Sequence, residues 1–91
     1  MNDMSHIKMI KKDLTREDFN VQKVVIAVGK SAERALVTFT KEELDFICRF
    51  VEETVLSMGV TEIPIARMHN IVESALEHTN PIVAKSYRDY R

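Results

Sequence analysis

Ninety-one residues, 45% hydrophobic and 30% charged, describe one small globular domain with room for a single modest core. A formal net charge of -1 argues against a nucleic-acid binder, which would usually carry a basic excess. No apolar run nears the ~20 residues of a membrane span, and the polar opening MNDMSH lacks a signal-peptide core. One cysteine, Cys48, can form neither an internal disulfide nor, by itself, a zinc site, so a cytoplasmic setting is expected. Two glycines leave little room for a glycine-rich phosphate loop.

Residues 1–6 read as an N-terminal tail and 7–91 as the domain. In SHIKMIKK, residues 5–12, incomplete alternation places Ile7 and Met9 on one face and His6, Lys8 and Ile10 on the other. That pattern predicts a short, half-buried strand. DLTRE follows as a turn, and Glu17 to Phe19 return as a second short strand. A two-stranded hairpin is unstable alone, so it must lie on something.

Asn20 is a candidate N-cap, with Val24, Val25, Val28 and Ala32 following at helical spacing. The β-branched residues make a strand a competitor, but the polar continuation GKSAER favours a helix ending near Arg34. ALVTF is a linker with some strand character. Thr40-Lys41-Glu42-Glu43 is a capping box, and Leu44, Ile47, Cys48, Val51 and Val55 mark one face of a helix that Gly59 stops. Pro64 opens a third helix, with Met68, Ile71, Val72, Ala75 and Leu76 as its stripe. Asn80-Pro81 caps a fourth, running through Ala84 and Tyr87. The expected fold is mainly α: a short N-terminal β-hairpin lid on a small bundle of about four helices, joined by short loops.

The stretch KKDLTREDFNVQK gathers three lysines around the mouth of the first helix. A helix N-terminus carries partial positive charge, so Lys23 sits there at a disadvantage of a few tenths of a kcal/mol, which an anion would reverse. Backbone N–H groups after Asn20, the Lys23 ammonium and a strand lysine together suit a polyphosphate. Lys11 and Lys12, adjacent on a strand, point to opposite faces, and a solvated edge strand protected by charge is the plainer alternative. For Glu17 and Asn20 the plainer alternative is turn and cap chemistry; for His69, beside Met68, it is packing. His6 and His78 show no metal-ligand spacing with Cys48, which reads as inert core. No nucleophile–base pair or paired carboxylates suggest catalysis.

Two stretches of the chain resemble the ATP-cone family. IKKDLTREDFNVQKV corresponds to that family's Lys-Arg-Asp-Gly…Phe-Asp…Lys-Ile opening. IPIARMHNIVESALEHTNPIVAKSYRDYR is similar to its closing pattern, and Val-Ala-Lys-x-Tyr-x-x-Tyr-Arg is the more specific half. The resemblance covers roughly residues 7–91. It implies an allosteric site under the hairpin for ATP, which raises activity, or dATP, which lowers it, with Mg²⁺ accompanying the phosphates.

Carried over position by position, the nucleotide-binding residues would be Lys11, Lys12, Glu17, Asn20, Lys23 and Val24, with His69 beside the base. Tyr90-Arg91 matches a closing Tyr-Arg pair. Three positions depart from the pattern: Leu14 stands for the turn glycine, which argues against a tight turn with positive φ, Gln22 for an acidic residue, and Pro64 for a polar N-cap.

ATP-cones are regulatory domains at the N-terminus of ribonucleotide reductase large subunits, so the expectation is a non-catalytic regulatory portion of such an oxidoreductase. An anaerobic glycyl-radical enzyme is preferred among the classes. The implied partner is the catalytic region of the same reductase chain, with self-association as a second contact and neither nucleic acid nor membrane. A zinc-ribbon repressor of reductase genes also carries this domain, but it needs four metal ligands ahead of the cone, and one cysteine argues against it. The alternative function is a degenerate cone acting only as a protein-interaction or oligomerisation module.

Overall fold

The computed structural model describes residues 6–90. The expected tail lies almost wholly outside these residues, and so does Arg91. In chain order the elements are β1 (Lys8–Ile10), β2 (Arg16–Asp18), α1 (Val21–Arg34), α2 (Lys41–Ser57), β3 (Glu62–Pro64), α3 (Ile65–Thr79) and α4 (Pro81–Tyr90). The four helices and the hairpin stand where the sequence places them, and residues 35–39 form no strand.

What periodicity missed is β3, which turns the hairpin into a three-stranded sheet of order β2-β1-β3. β1 pairs antiparallel with β2, matching Lys8 with Asp18, Met9 with Glu17 and Ile10 with Arg16. It pairs in parallel with β3, matching Lys8 with Glu62, Met9 with Ile63 and Ile10 with Pro64. The hairpin is therefore tied along a second edge instead of lying loose on the helices. Alternation makes Glu17, Met9 and Ile63 one row, and Ile63 is fully buried, so this row faces the helices. The opposite face is polar: Lys8 pairs with Asp18, and Arg16 reaches across β1 to Glu62.

The hairpin loop departs from expectation. Leu14 adopts φ 71°, the positive value its side chain argued against. Leu14 N–H donates to the Lys11 carbonyl at 2.9 Å and Lys11 N–H to the Thr15 carbonyl at 2.8 Å, a three-residue loop whose last residue is left-handed. Asp13 over-determines it, its carboxylate accepting from the Thr15 hydroxyl at 2.6 Å and the Thr15 N–H at 3.0 Å. The residual strain of a leucine there is tolerated because the side chain is solvent-exposed.

Helix boundaries follow local chemistry. Asn20 caps α1; the Thr40–Glu43 capping box is complete, with bonds of 2.9 and 3.1 Å. α1 ends in a Schellman-type turn: Val37 N–H donates to the Ala32 carbonyl at 2.8 Å and Leu36 N–H to the Glu33 carbonyl at 3.1 Å. Leu36, φ 59°, occupies the position usually given to glycine. α4 packs against both α1 and α3, and α3 against α2. Between them lie Val28 of α1, Ile47, Val51 and Val55 of α2, Val72, Ala75 and Leu76 of α3, and Val83 and Ala84 of α4. Cys48 is half-buried, not core; burial, then Glu52 and Asp45, push its thiol up. Among the described residues no helix is long and apolar enough to cross a membrane.

Candidate nucleotide site at the hairpin mouth

The mouth of α1 begins with Asn20, held extended at φ -144° and ψ 111°. Its side chain accepts from the Gln22 N–H at 2.9 Å, and its carbonyl accepts from the Lys23 N–H at 3.0 Å. Sequence reasoning offered these amides to an anion, but the cap already uses two of them, so side chains must supply most of the attraction. The first turn holds no acidic residue, which leaves the Lys23 ammonium without a counter-charge from its own helix.

The sheet supplies that charge. Lys23 Nζ donates to Glu17 Oε1 at 3.2 Å, and Lys11 Nζ lies 3.7 Å from Glu17 Oε2. Two cations twelve residues apart in the chain thus converge on one carboxylate. Glu17, expected at a ribose or base edge, is here their shared counter-ion. Its side chain is 28% exposed, against 47% and 58% for Lys11 and Lys23.

Lys12 diverges, as its neighbour relation to Lys11 required, although β1 ends at Ile10 and Lys12 belongs to the loop. It lines a hollow of about 350 Å³ with Ala66, His69 and Asn70 of α3, and among the described residues it makes no ion pair.

Beside Lys23 lies a slot of about 110 Å³. Its apolar walls are Met9 and Phe19 from the sheet side, Val24 and Ala27 from α1, Ile65, Met68 and Val72 from α3, and Tyr87 from α4. Asn20, Lys23 and His69 are the polar ones. Whole-ligand pockets usually hold ~300–1,000 Å³, so the slot fits one flat portion of a ligand, with the remainder outside along the lysines. Of the residues singled out from sequence, Asn20, Lys23, Val24 and His69 line this slot, Lys11 and Glu17 join it through Lys23, and Lys12 stands apart on the other side of His69.

His69 is half-buried, with its ring edge-on to Tyr87, centroids 6.0 Å apart at 82°. It also borders a third hollow of about 200 Å³, shared with Lys30, Ser31 and Arg34 of α1 and with Tyr90 of α4. Arg34 lies over the Tyr90 ring at 3.9 Å. Sequence reasoning missed Phe19 and Tyr87 as walls. Both lay inside quoted motifs, Phe19 as the end of the second strand and Tyr87 as a residue of the fourth helix, and neither was given a part in the site.

A larger hollow, about 510 Å³, lies elsewhere, between the end of α1 and the start of α2. Glu33 is its single charged lining residue, so it offers an anion no cationic side chain. Among the described residues no group of three or more histidine, cysteine, aspartate or glutamate side chains is placed to hold a metal ion.

Comparison with known proteins bears on this geometry. A family model described as the ATP cone domain matches residues 7–91. The transcriptional repressor NrdR of Clostridium beijerinckii is 28% identical over 89 residues, covering 93% of this chain. The chain spans 58% of that repressor's length.

Proposed function

The chain belongs to the ATP-cone family of regulatory, non-catalytic domains, which bind ATP or dATP as effectors, and from this premise we propose that the hairpin mouth is its effector site. The observation that carries the proposal is the convergence of the Lys11 and Lys23 ammonium groups on one anion beside an apolar slot. A purine face suits the slot, where Phe19, Val24, Met68 and Tyr87 exclude water and His69 and Asn20 offer polar groups to its edge. The phosphates lie outside, along Lys23 and Lys11, with Lys12 a further cation. Mg²⁺ comes with the triphosphate and is held chiefly by phosphate oxygens and water, since it needs few protein ligands. The setting we propose is a ribonucleotide reductase large subunit, whose overall activity the domain controls. Its partners are then the catalytic region of the same chain and other copies of the cone.

A second setting is favoured by one finding. The similar protein from Clostridium beijerinckii is a transcriptional repressor, and this chain matches somewhat more than half of it. Under that reading the same effector site regulates DNA binding by a segment outside the match, and the single cysteine of these residues no longer argues against it. The coding sequence on either side of this stretch separates the two settings: a large catalytic region in one, a DNA-binding segment in the other.

Calorimetry with ATP and dATP, with and without Mg²⁺, tests the site itself. Saturable binding is expected, and bound nucleotide should raise the melting temperature by mass action on the folded state. Lys23→Ala should weaken nucleotide binding roughly tenfold or more, since a charge-assisted hydrogen bond contributes about 1.5–3 kcal/mol. The melting temperature without ligand should change little, because the Lys23–Glu17 pair is exposed. No heat and no melting shift at millimolar nucleotide would leave the protein-interaction module as the surviving reading.

A further inference from the structure

Glu17 is an unusual residue for its place in the sheet. Period-two alternation puts it in the row with Met9 and Ile63, on the face turned toward the helices. A carboxylate there is unfavourable unless something ionic or hydrogen-bonding meets it. What meets it is two lysines from different parts of the chain: Lys11 just past the end of β1 and Lys23 in the first turn of α1. Lys23 has its own reason to seek an anion, because it sits at the positive end of a helix.

We infer that Glu17 is a built-in counter-anion, occupying in the ligand-free domain the position that a polyphosphate takes when it binds. This rests on the reading of the hairpin mouth as an anion site and specifies how that site chooses its ligand. Both lysine–glutamate contacts are partly exposed and screened by water, so they are weak and exchangeable. An anion that reaches one lysine only leaves the carboxylate in place on the other. An anion long enough and charged enough to span both evicts it. Glu17 therefore lowers affinity for every anion and favours a triphosphate over shorter ones.

The test uses inorganic tripolyphosphate as well as ATP, because tripolyphosphate has no ribose or base for Glu17 to contact. Glu17→Gln keeps the side chain's shape and removes its charge; Glu17→Asp keeps the charge but draws it back by one methylene. Circular dichroism and melting establish that each variant is folded. Glu17→Gln should bind tripolyphosphate about three- to tenfold more tightly than the parent protein, with Glu17→Asp between them. A Gln variant that binds tripolyphosphate no better, while ATP still binds the parent protein, overturns the counter-anion role and leaves the anion site standing. Unchanged tripolyphosphate affinity with weakened ATP affinity would do the same and identify Glu17 as a ribose or base contact. If neither anion binds any variant, the site reading itself falls and this inference with it.

Discussion

The α2–α3 side of the bundle and the hairpin mouth are held together by different forces. On the first, Ile47, Val51, Val55, Val72, Ala75 and Leu76 are all exposed by 1% or less, and burial of apolar surface is the main attraction. At the second, buried Phe19 and Val24 are joined by two ammonium–carboxylate contacts, Lys23–Glu17 between helix and sheet and Lys11–Glu17 within the hairpin, whose partners are 28% to 58% exposed. Apolar burial is non-directional and does not respond to an added anion. Screened ion pairs are individually worth ~0–1 kcal/mol, and a competing charge can replace them. The division lets a domain of this size keep its core intact while one corner changes partners.

The largest effect should come from the apolar side. Ile47→Ala, on a helix that lines none of the three hollows around His69, should destabilise the domain by about 2–5 kcal/mol in denaturant unfolding. Nucleotide affinity, measured on the folded fraction, should hardly change. If Ile47→Ala weakened binding as much as Lys23→Ala does, the two regions would not be independent, and the contrast drawn between them would collapse.

A smaller effect compares the two leucines that stand in left-handed conformations. Leu14 sits at the hairpin tip with φ 71° and Leu36 after α1 with φ 59°, and their side chains are 76% and 94% exposed. An L-residue there costs roughly 1–2 kcal/mol, of which glycine returns part to greater freedom in the unfolded chain. Leu14→Gly and Leu36→Gly should therefore each stabilise by about 0.5–1 kcal/mol in denaturant unfolding. Leu36→Gly is expected to leave nucleotide affinity alone, since Leu36 lines only the hollow that lacks cations. Loss of stability in either variant would mean that the leucine side chain makes a contribution its exposure conceals.

These same regions differ in how far the sequence disclosed them. The helices were legible because capping and periodicity are local: Asn20, the Thr40–Glu43 box and Asn80-Pro81 mark starts, and Met68, Ile71, Val72, Ala75 and Leu76 are all buried. β3 was not, because its three residues run into a helix start and its partner strand lies some fifty residues earlier, so only the assembled fold pairs them. Leu14 misled because residue type speaks to the cost of a positive φ, while Asp13 and Thr15 decide whether the turn forms regardless. At the site, charge was legible and enclosure was not. Lys11 and Lys23 stand out in the chain, but the slot beside them is built jointly by the sheet, α1, α3 and α4. That Glu17 would face inward followed from register, which the sequence alone left open.

The smallest expected effect lies on the outer face of the sheet and at the loop, and it is read through pH. A hydrogen bond from the Thr15 hydroxyl, then one from its N–H, holds the Asp13 carboxyl below its ordinary value of 3.8. A hydrogen bond from Arg16 does the same for Glu62, below 4.5. Because both groups bind protons less readily when folded than unfolded, their contribution to stability is complete above about 4.5 and is lost as pH falls through the lower, folded-state values. Arg16, whose affinity for its proton is raised, would matter only at strongly alkaline pH. Both carboxylates stand in water, so the gain is small and other acids titrate alongside them; a difference between proteins isolates it. The double variant Asp13→Asn/Glu62→Gln should be slightly less stable than the parent at pH 7, and the gap between their denaturant midpoints should be smaller at pH 3. A gap of the same size at both pH values would show that the amides disturb the loop and strand geometry and that ionisation of these two groups contributes nothing.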